Sequence, residues 1–301
     1  MAFSRSIAQL IFGAICISFA PVFVKMLGVG LISPTCIGFW RTFLGAVFLF
    51  VIAFVRNRSF KMKKSVIWWT ALAGLFFSTD LFFWHRSIIY SGAGIATILA
   101  NTQVFGTAVL SFLIFKEKLS AKFLVAAVGA FVGVALLIGL GSEIEMTGRY
   151  LRGVLYGLIT GLAYANYLVT LKYAGHKQAL PDFVILMAWV SLFAALFLGG
   201  ATVIEDRGFL PPDFYSLFIL ILLGLIPQTI GWWSISTGLA KADVSQASLI
   251  LMLQPVLATF WGIMFFGESL TLMQWLGALL TLTAIYIGSV SRNKQAIPVA
   301  A

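Results

Sequence analysis

Residues 102–120 read TQVFGTAVLSFLIFKEKLS, and residues 253–271 read LQPVLATFWGIMFFGESLT. Each is an apolar run that ends in glutamate, one further residue and leucine. Superposed, they align Gln103 with Gln254, Phe115 with Phe266, Glu117 with Glu268 and Leu119 with Leu270, half a chain apart. Repetition at that distance points to two copies of one unit, and the nature of the unit decides the fold.

Of 301 residues, 61% are hydrophobic and 10% charged, and the mean hydropathy is +1.02. Soluble domains carry about 45–50% apolar and about 25% charged residues. This chain cannot supply a polar surface of that extent, so lipid must be the solvent for most of it. The formal net charge is +10, but the basic residues lie mainly between apolar runs and form no patch that could track a phosphate backbone, which argues against nucleic acid as a partner. Cys16 and Cys36 sit inside apolar runs, without metal-ligand spacing or a disulfide framework. The first apolar run outlasts a signal-peptide core and shows no convincing cleavage site, so it reads as a retained membrane helix.

A membrane helix needs about 20 residues. Ten segments fit: 7–27, 33–55, 65–85, 90–114, 120–140, 150–172, 182–203, 214–235, 244–266 and 271–290. The expected fold is all-α and polytopic, with two five-helix repeats at 1–141 and 149–291. Short links leave no room for a soluble domain, and the continuous runs do not alternate as barrel strands do. Fourteen lysines and arginines fall on the side of the N-terminus and five on the other, with Arg41 inside the second span. That bias places both termini in the cytoplasm. Because five is odd, the second repeat enters from the opposite side. Inverted repeats let one chain form two related shapes, each open to one face; a duplication that served folding alone is the plainer alternative. Glu117 and Glu268, at helix ends, read as turn and cap elements beside the next helix dipole.

Ten helices, inverted halves and a small-residue-rich fourth helix ending in Glu-x-Leu resemble the drug/metabolite transporter superfamily, in particular its EamA-type bacterial members. SGAGIATILANTQVFGTAVLSFLIFKEKLS is followed by AAVGAFVGVALL, and KADVSQASLILMLQPVLATFWGIMFFGESLT by WLGALLTLTAIYIGS. FAPVFVK at 19–25 and GFWRT at 38–42 match further family features; Pro255 fits the fourth-helix proline, and Val104 departs from it. The resemblance implies movement of small metabolites across the bacterial inner membrane, often outward, with aromatic and neutral amino acids as the nearest cargo. Membrane lipid and the small-molecule substrate are the partners implied, and no cofactor.

Polar residues inside spans need a reason, because burying them unpaired is costly. In the fourth helix Tyr90, Gly94, Thr97, Asn101, Phe105 and Ala108 recur at helical spacing, forming either a cavity wall or a tight helix contact. Ser245, Ser248 and Met252 occupy the equivalent face of the ninth. Tyr164 continues a ladder of Gly153, Gly157 and Gly161 in the sixth. In the eighth, Pro227 and Gly231 weaken the helix beside Gln228 and Trp232, which share a face suited to a cavity. Asp80, the one acidic residue deep in a span, shares a face with Phe77 and Trp84. Arg41 lies about 12 Å from its helix end at about 1.5 Å per residue. With Lys25 these two form either a gate or substrate-binding ion network, or, equally simply, a neutralising pair. His85 and His176 have no partners at metal spacing. No catalytic signature, phosphate loop or ATPase motif is present, so the chain is not expected to be an enzyme.

The leading reading is therefore a secondary transporter of amino acids or similar metabolites. A nucleotide-sugar or phosphorylated-metabolite carrier of the same fold would want several internal Lys or Arg, and Arg41 stands alone. A lipid-modifying membrane enzyme would need an acid/base pair or metal cluster, and none stands out. Proton coupling and uniport both fit, and apolar surfaces facing lipid and protein look alike, so oligomeric state is not legible. The charge bias makes one direct prediction: a reporter fused after Ala301 is active if it works in the cytoplasm, and activity of a periplasm-only reporter there overturns the orientation.

Overall fold

The computed structural model describes residues 2–28, 32–116, 119–140, 146–177, 182–205, 208–239, 247 and 250–293. Its regular elements are all helical. They are α1 (Ala2–Ser18), α2 (Ala20–Leu27), α3 (Pro34–Val55), α4 (Lys64–Ser91), α5 (Ala93–Asn101), α6 (Gln103–Phe115), α7 (Ala121–Leu137), α8 (Gly148–Lys177) and α9 (Phe183–Ile204). After α10 (Phe214–Leu225) comes a π-helical turn (Ile226–Gly231), then α11 (Trp232–Leu239), α12 (Leu253–Phe266) and α13 (Leu272–Asn293). Seven stretches among the described residues are long and apolar enough to cross a membrane, counting α1–α2, α5–α6 and α10–α11 as one each. The spans expected at 120–140, 244–266 and 271–290 appear as the shorter apolar helices Ala121–Leu137, Leu253–Phe266 and Leu272–Gly288.

Local chemistry sets the helix starts. Ser33 accepts from Cys36 N at 3.1 Å with Pro34 in the first turn, and Ser120 accepts from Phe123 N at 3.1 Å. Asp182 accepts from Val184 N at 3.0 Å and Asp213 from Ser216 N at 2.6 Å. That last bond holds the exposed Asp213 carboxyl below its ordinary pKa. Once formed, the helices leave large apolar side chains outward: Val125 is 73% and Phe131 80% exposed. Such a surface is stable only against lipid.

The helices pair mainly across the two halves. α4 packs on α8, and α1 on α10's π-turn and α11; α3 packs on α9, α5 on α12, and α7 on α13. Exchanging the halves maps this set of pairings onto itself. The two quoted stretches match in backbone detail as well. α6 starts from Thr102 (φ −62, ψ −9) and α12 from Met252 (φ −65, ψ −13). α6 stops at a left-handed Lys116 (φ 57, ψ 29) and α12 at a left-handed Gly267 (φ 62, ψ 27). Glu268 N and Gly267 N bond back to Gly262 O and Ile263 O at 3.2 and 3.1 Å, closing the Schellman-type end that follows α12.

One boundary differs from the sequence expectation. A link was expected before residue 90, but α4 runs on to Ser91 and turns at Gly92, whose φ of 95 and ψ of 161 suit only glycine. Tyr90 therefore belongs to the end of α4 and is cut off from the stripe that carries Thr97 and Asn101.

The matched caps make a prediction. A left-handed conformation costs an L-residue roughly 1–2 kcal/mol, partly offset by the entropy glycine loses on folding. Lys116→Gly should stabilise the purified protein and Gly267→Ala destabilise it, each by about 1 kcal/mol. Identical thermal unfolding of wild type and both variants would show that neither cap is strained.

Candidate functional site

Four helix interruptions converge on the centre of the bundle. α1 gives way to α2 at Phe19, α5 to α6 at Thr102, α10 to α11 through the π-turn, and the chain turns at Met252 before α12. They surround a cavity of about 250 Å³. Ser18 and Pro21 line it from the first interruption, Thr97, Ala100, Asn101, Gln103 and Val104 from the second, Trp232 from the third, and Leu251, Met252 and Gln254 from the fourth. Unbroken helices add Arg41 from α3, Phe77, Asp80, Leu81 and Trp84 from α4, and Tyr164 from α8.

Side chains satisfy part of the backbone that these interruptions release. Asn101 Nδ2 donates to Thr97 O at 2.8 Å and Thr102 Oγ1 to Leu99 O at 2.6 Å. Thr229 Oγ1 donates to Gly224 O at 2.8 Å across the π-turn, and Ser18 Oγ to Ile15 O at 2.7 Å. Ser18 Oγ also accepts from Trp261 Nε1 at 3.0 Å, tying the first interruption to α12, while Phe19 stacks on Trp261 at 4.8 Å.

Arg41 is 3% exposed, and its position is held from two sides. Nε donates to Gln228 Oε1 at 2.9 Å, Gln228 Nε2 donates to Ser191 Oγ at 3.1 Å, and the guanidinium lies 5.3 Å from the Trp84 ring centroid. Nη1 is buried without a hydrogen-bond partner, as are Trp84 Nε1 and Trp232 Nε1. Asp80 is 8% exposed, and its carboxylate has neither a hydrogen bond nor an ion pair among the described residues. Arg41 and Asp80 thus share one cavity without the 4.0 Å contact of a salt bridge. Aromatic rings form the rest of the wall: Tyr164 meets Trp232 edge-on at 6.4 Å and stacks on Tyr167 at 5.8 Å.

Lys25 takes no part with Arg41 and Asp80. Its ammonium pairs with Glu268, which follows α12, and lies 4.7 Å from the Phe266 ring centroid. The same carboxylate accepts from Ala93 N through both oxygens, at 2.9 and 3.2 Å, and so caps α5 from the other half of the chain. Glu268 is a cap, though of α5 and not of the helix that follows it; α13 is started by Thr271 and Gln274, which bond reciprocally at 3.1 and 3.3 Å. A Cβ on Gly262 would overlap the Glu268 carboxylate, so glycine there leaves space for it. Lys25 and Glu268 also line a second recess of about 400 Å³, together with Tyr90, Tyr150 and Gln274 among others. Nearby, Arg86, Glu205 and Thr35 tie α4, α9 and α3 through bonds of 2.6 to 2.9 Å.

Of the sequence candidates, Thr97, Asn101, Tyr164, Trp232, Arg41 and Asp80 meet in the cavity. Tyr90 and Lys25 lie at the recess. Gln228 stands behind the wall, fully buried, as the group that orients Arg41. Ser245 and Ser248 lie outside the described residues, as does Glu117. The contact of Glu268 with Lys25 and Ala93, and the role of Ser191, were not read from the sequence, because each joins residues more than thirty positions apart with no local signature. Among the described residues no group of three or more His, Cys, Asp or Glu is placed to hold a metal ion.

The Gln228 contact is testable. Gln228→Leu leaves Arg41 Nε and Ser191 Oγ unpaired in a buried place, which costs about 1–3 kcal/mol. Thermal unfolding should fall accordingly, and Gln228→Glu, which keeps an acceptor, should lose less; equal losses would show that the amide does not serve Arg41.

The EamA-like transporter family model matches the chain twice, over residues 4–139 and 151–290. An uncharacterized transporter of Archaeoglobus fulgidus is 26% identical over 288 residues, covering 93% of this chain and 94% of that one. A probable amino-acid metabolite efflux pump of Salmonella typhimurium is 25% identical over 203 residues, covering 65% of this chain and 67% of that one. A solved crystal structure superposes with a TM-score of 0.67 at 15% identity, covering 97% of this chain and 98% of that one, a likeness of fold alone. With both halves matched, the chain is a multi-pass membrane protein and belongs to the EamA-like transporter family.

Proposed function

We propose that this secondary transporter of small metabolites moves neutral and aromatic amino acids, or close relatives of them, outward across the bacterial inner membrane. The observation that carries the reading is the central cavity, where the interrupted fourth helices of both repeats meet (Asn101–Gln103 and Met252–Gln254). Backbone irregularity at membrane depth is tolerated where it lines a cavity, and inverted-repeat transporters place their sites at the repeat interface. In this reading ten helices form two inverted five-helix halves with both termini cytoplasmic, and the halves exchange shapes to expose the cavity to each side in turn.

The cavity volume and the rings of Phe77, Trp84, Tyr164 and Trp232 suit one small side chain, aliphatic or aromatic. Among the described residues Arg41 is the one cation lining the cavity, which disfavours a phosphorylated or nucleotide-linked cargo. The likeness to the Salmonella relative, a probable amino-acid metabolite efflux pump, points the same way. Lys25 and Glu268 pair at the wall of the recess, and in this reading their contact is the closure that opens when cargo leaves by that side.

Counterflow in proteoliposomes with a panel of labelled metabolites tests the proposal. Neutral and aromatic amino acids should exchange, with sugar phosphates and nucleotide sugars inert. Asn101→Leu should lower exchange at least about tenfold while the protein still inserts, the loss expected where about 1.4 kcal/mol of binding is removed. Exchange of nucleotide sugars in place of amino acids, or wild-type exchange by N101L, overturns the substrate or the cavity assignment respectively.

A further inference from the structure

The cavity contains two opposite charges that are close enough to share one space yet do not meet. An isolated cation and anion facing each other in a low-dielectric site would be expected to pair, since an unpaired buried charge is costly. What holds them apart is specific. Arg41 is tethered through Nε to Gln228, which is itself anchored on Ser191, and its guanidinium is covered by the Trp84 ring. The Gln228 side chain is wedged against α3 so closely that a Cβ on Gly45 would overlap its Cγ. The tether occupies one nitrogen and leaves Nη1 without a partner. Asp80 sits one helical turn before Trp84 on α4 and presents an unbonded carboxylate to the same space.

We infer that Arg41 and Asp80 are the specificity-determining pair for the head group of an α-amino acid, with Arg41 taking the carboxylate and Asp80 the ammonium. The inference rests on the amino-acid reading above and deepens it. A carboxylate is matched by a guanidinium fork, and the idle indole N–H groups of Trp84 and Trp232 add donors of the kind an acceptor ligand needs. An ammonium has only donors, and among the described residues Asp80 is the one carboxylate on the wall. A zwitterion satisfies both charges and adds no net charge to the site. A molecule with only one of the two groups leaves either Arg41 or Asp80 unmatched in the dry interior, and that is a discriminating penalty where a missing methylene would be a weak one. The side chain of the substrate then falls to Phe77 and Tyr164, which offer rings and no charge.

The test uses the intact purified protein and reads ligand-induced protection against thermal unfolding. The twenty amino acids are screened first. The best neutral ligand, with phenylalanine as the reference probe, is then compared with its decarboxylated amine and its deaminated acid, phenethylamine and 3-phenylpropionate for that probe. Wild type should bind the zwitterion at least about tenfold more tightly than either single-charge analogue. Arg41→Gln should weaken the zwitterion by about tenfold or more and leave the amine unchanged, and Asp80→Asn should weaken the zwitterion and spare the acid. The wild-type comparison stands even where a variant fails to fold. Equal protection by either analogue overturns the assignment, as does a folded R41Q or D80N with wild-type affinity for the zwitterion. No protection by any amino acid overturns it as well; exchange of another small metabolite in the proteoliposome panel would then leave the transporter intact and remove only the amino-acid reading.

Discussion

A backbone interrupted inside a membrane has no water to turn to, and that constraint organises this protein. Each interruption releases N–H and C=O groups that must find partners or face a cavity. Here threonine, serine and asparagine side chains take carbonyls at three of them: Thr102 and Asn101 after α5, Thr229 across the π-turn, and Ser18 at the end of α1. Residues at all four interruptions line one central space. The interruptions and the cavity are thus one feature, because a helix that bends at membrane depth needs a polar void, and a polar void at that depth needs helices that bend.

The same economy governs the charges. Burying an ion pair seldom adds stability, because desolvation offsets the attraction. Arg41 is instead solvated by protein: an amide oxygen on Nε, a ring over its face, and unbonded space at Nη1. At the far end the arrangement is different. Lys25, Glu268 and Ala93 N form a closed set in which the one carboxylate answers both a cation and a helix N-terminus. A cation in α2, the carboxylate just past the α12 cap and the start of α5 meet there, and the helix capped by Glu268 has its other end, at Asn101, on the cavity wall. Nine residues, about 13 Å of helix, join this contact to the cavity wall.

How much of this was legible follows from the range of each signal. The repeat was plain because its markers, Gln103 with Gln254 and Glu117 with Glu268, lie in continuous apolar runs, and the runs reproduce one backbone twice. Thr97, Asn101, Asp80 and Trp84 could be placed on inward faces because helical spacing is local and polar residues inside spans are few. Tyr90 was misassigned to the fourth helix because the decisive residue, Gly92, differs from the glycine at 94 only in its backbone angles, which composition does not reveal. The partners of Lys25 and Arg41 were not legible at all. A lysine near two other charges was grouped with them by sequence proximity to span ends, whereas its actual partner is 243 positions away and enters from the opposite half. Gln228 was read as wall because it shares a helical face with Trp232; the π-turn rotates that face, so Trp232 meets the cavity and Gln228 the guanidinium behind it.

The two quoted stretches are alike in backbone at their ends and unlike in the residues that hold it. The stop after α12 is glycine, free to be left-handed; the stop after α6 is lysine, for which the same angles cost roughly 1–2 kcal/mol before any entropy offset. Under the proposed exchange of conformations between the halves, neither shape can lie far below the other, since about 1.4 kcal/mol already changes their ratio tenfold. A side-chain difference at one cap is therefore as large as the balance it sits in. Residues outside the cavity wall, Lys116 and Gly267 among them, can then set which face the resting carrier presents.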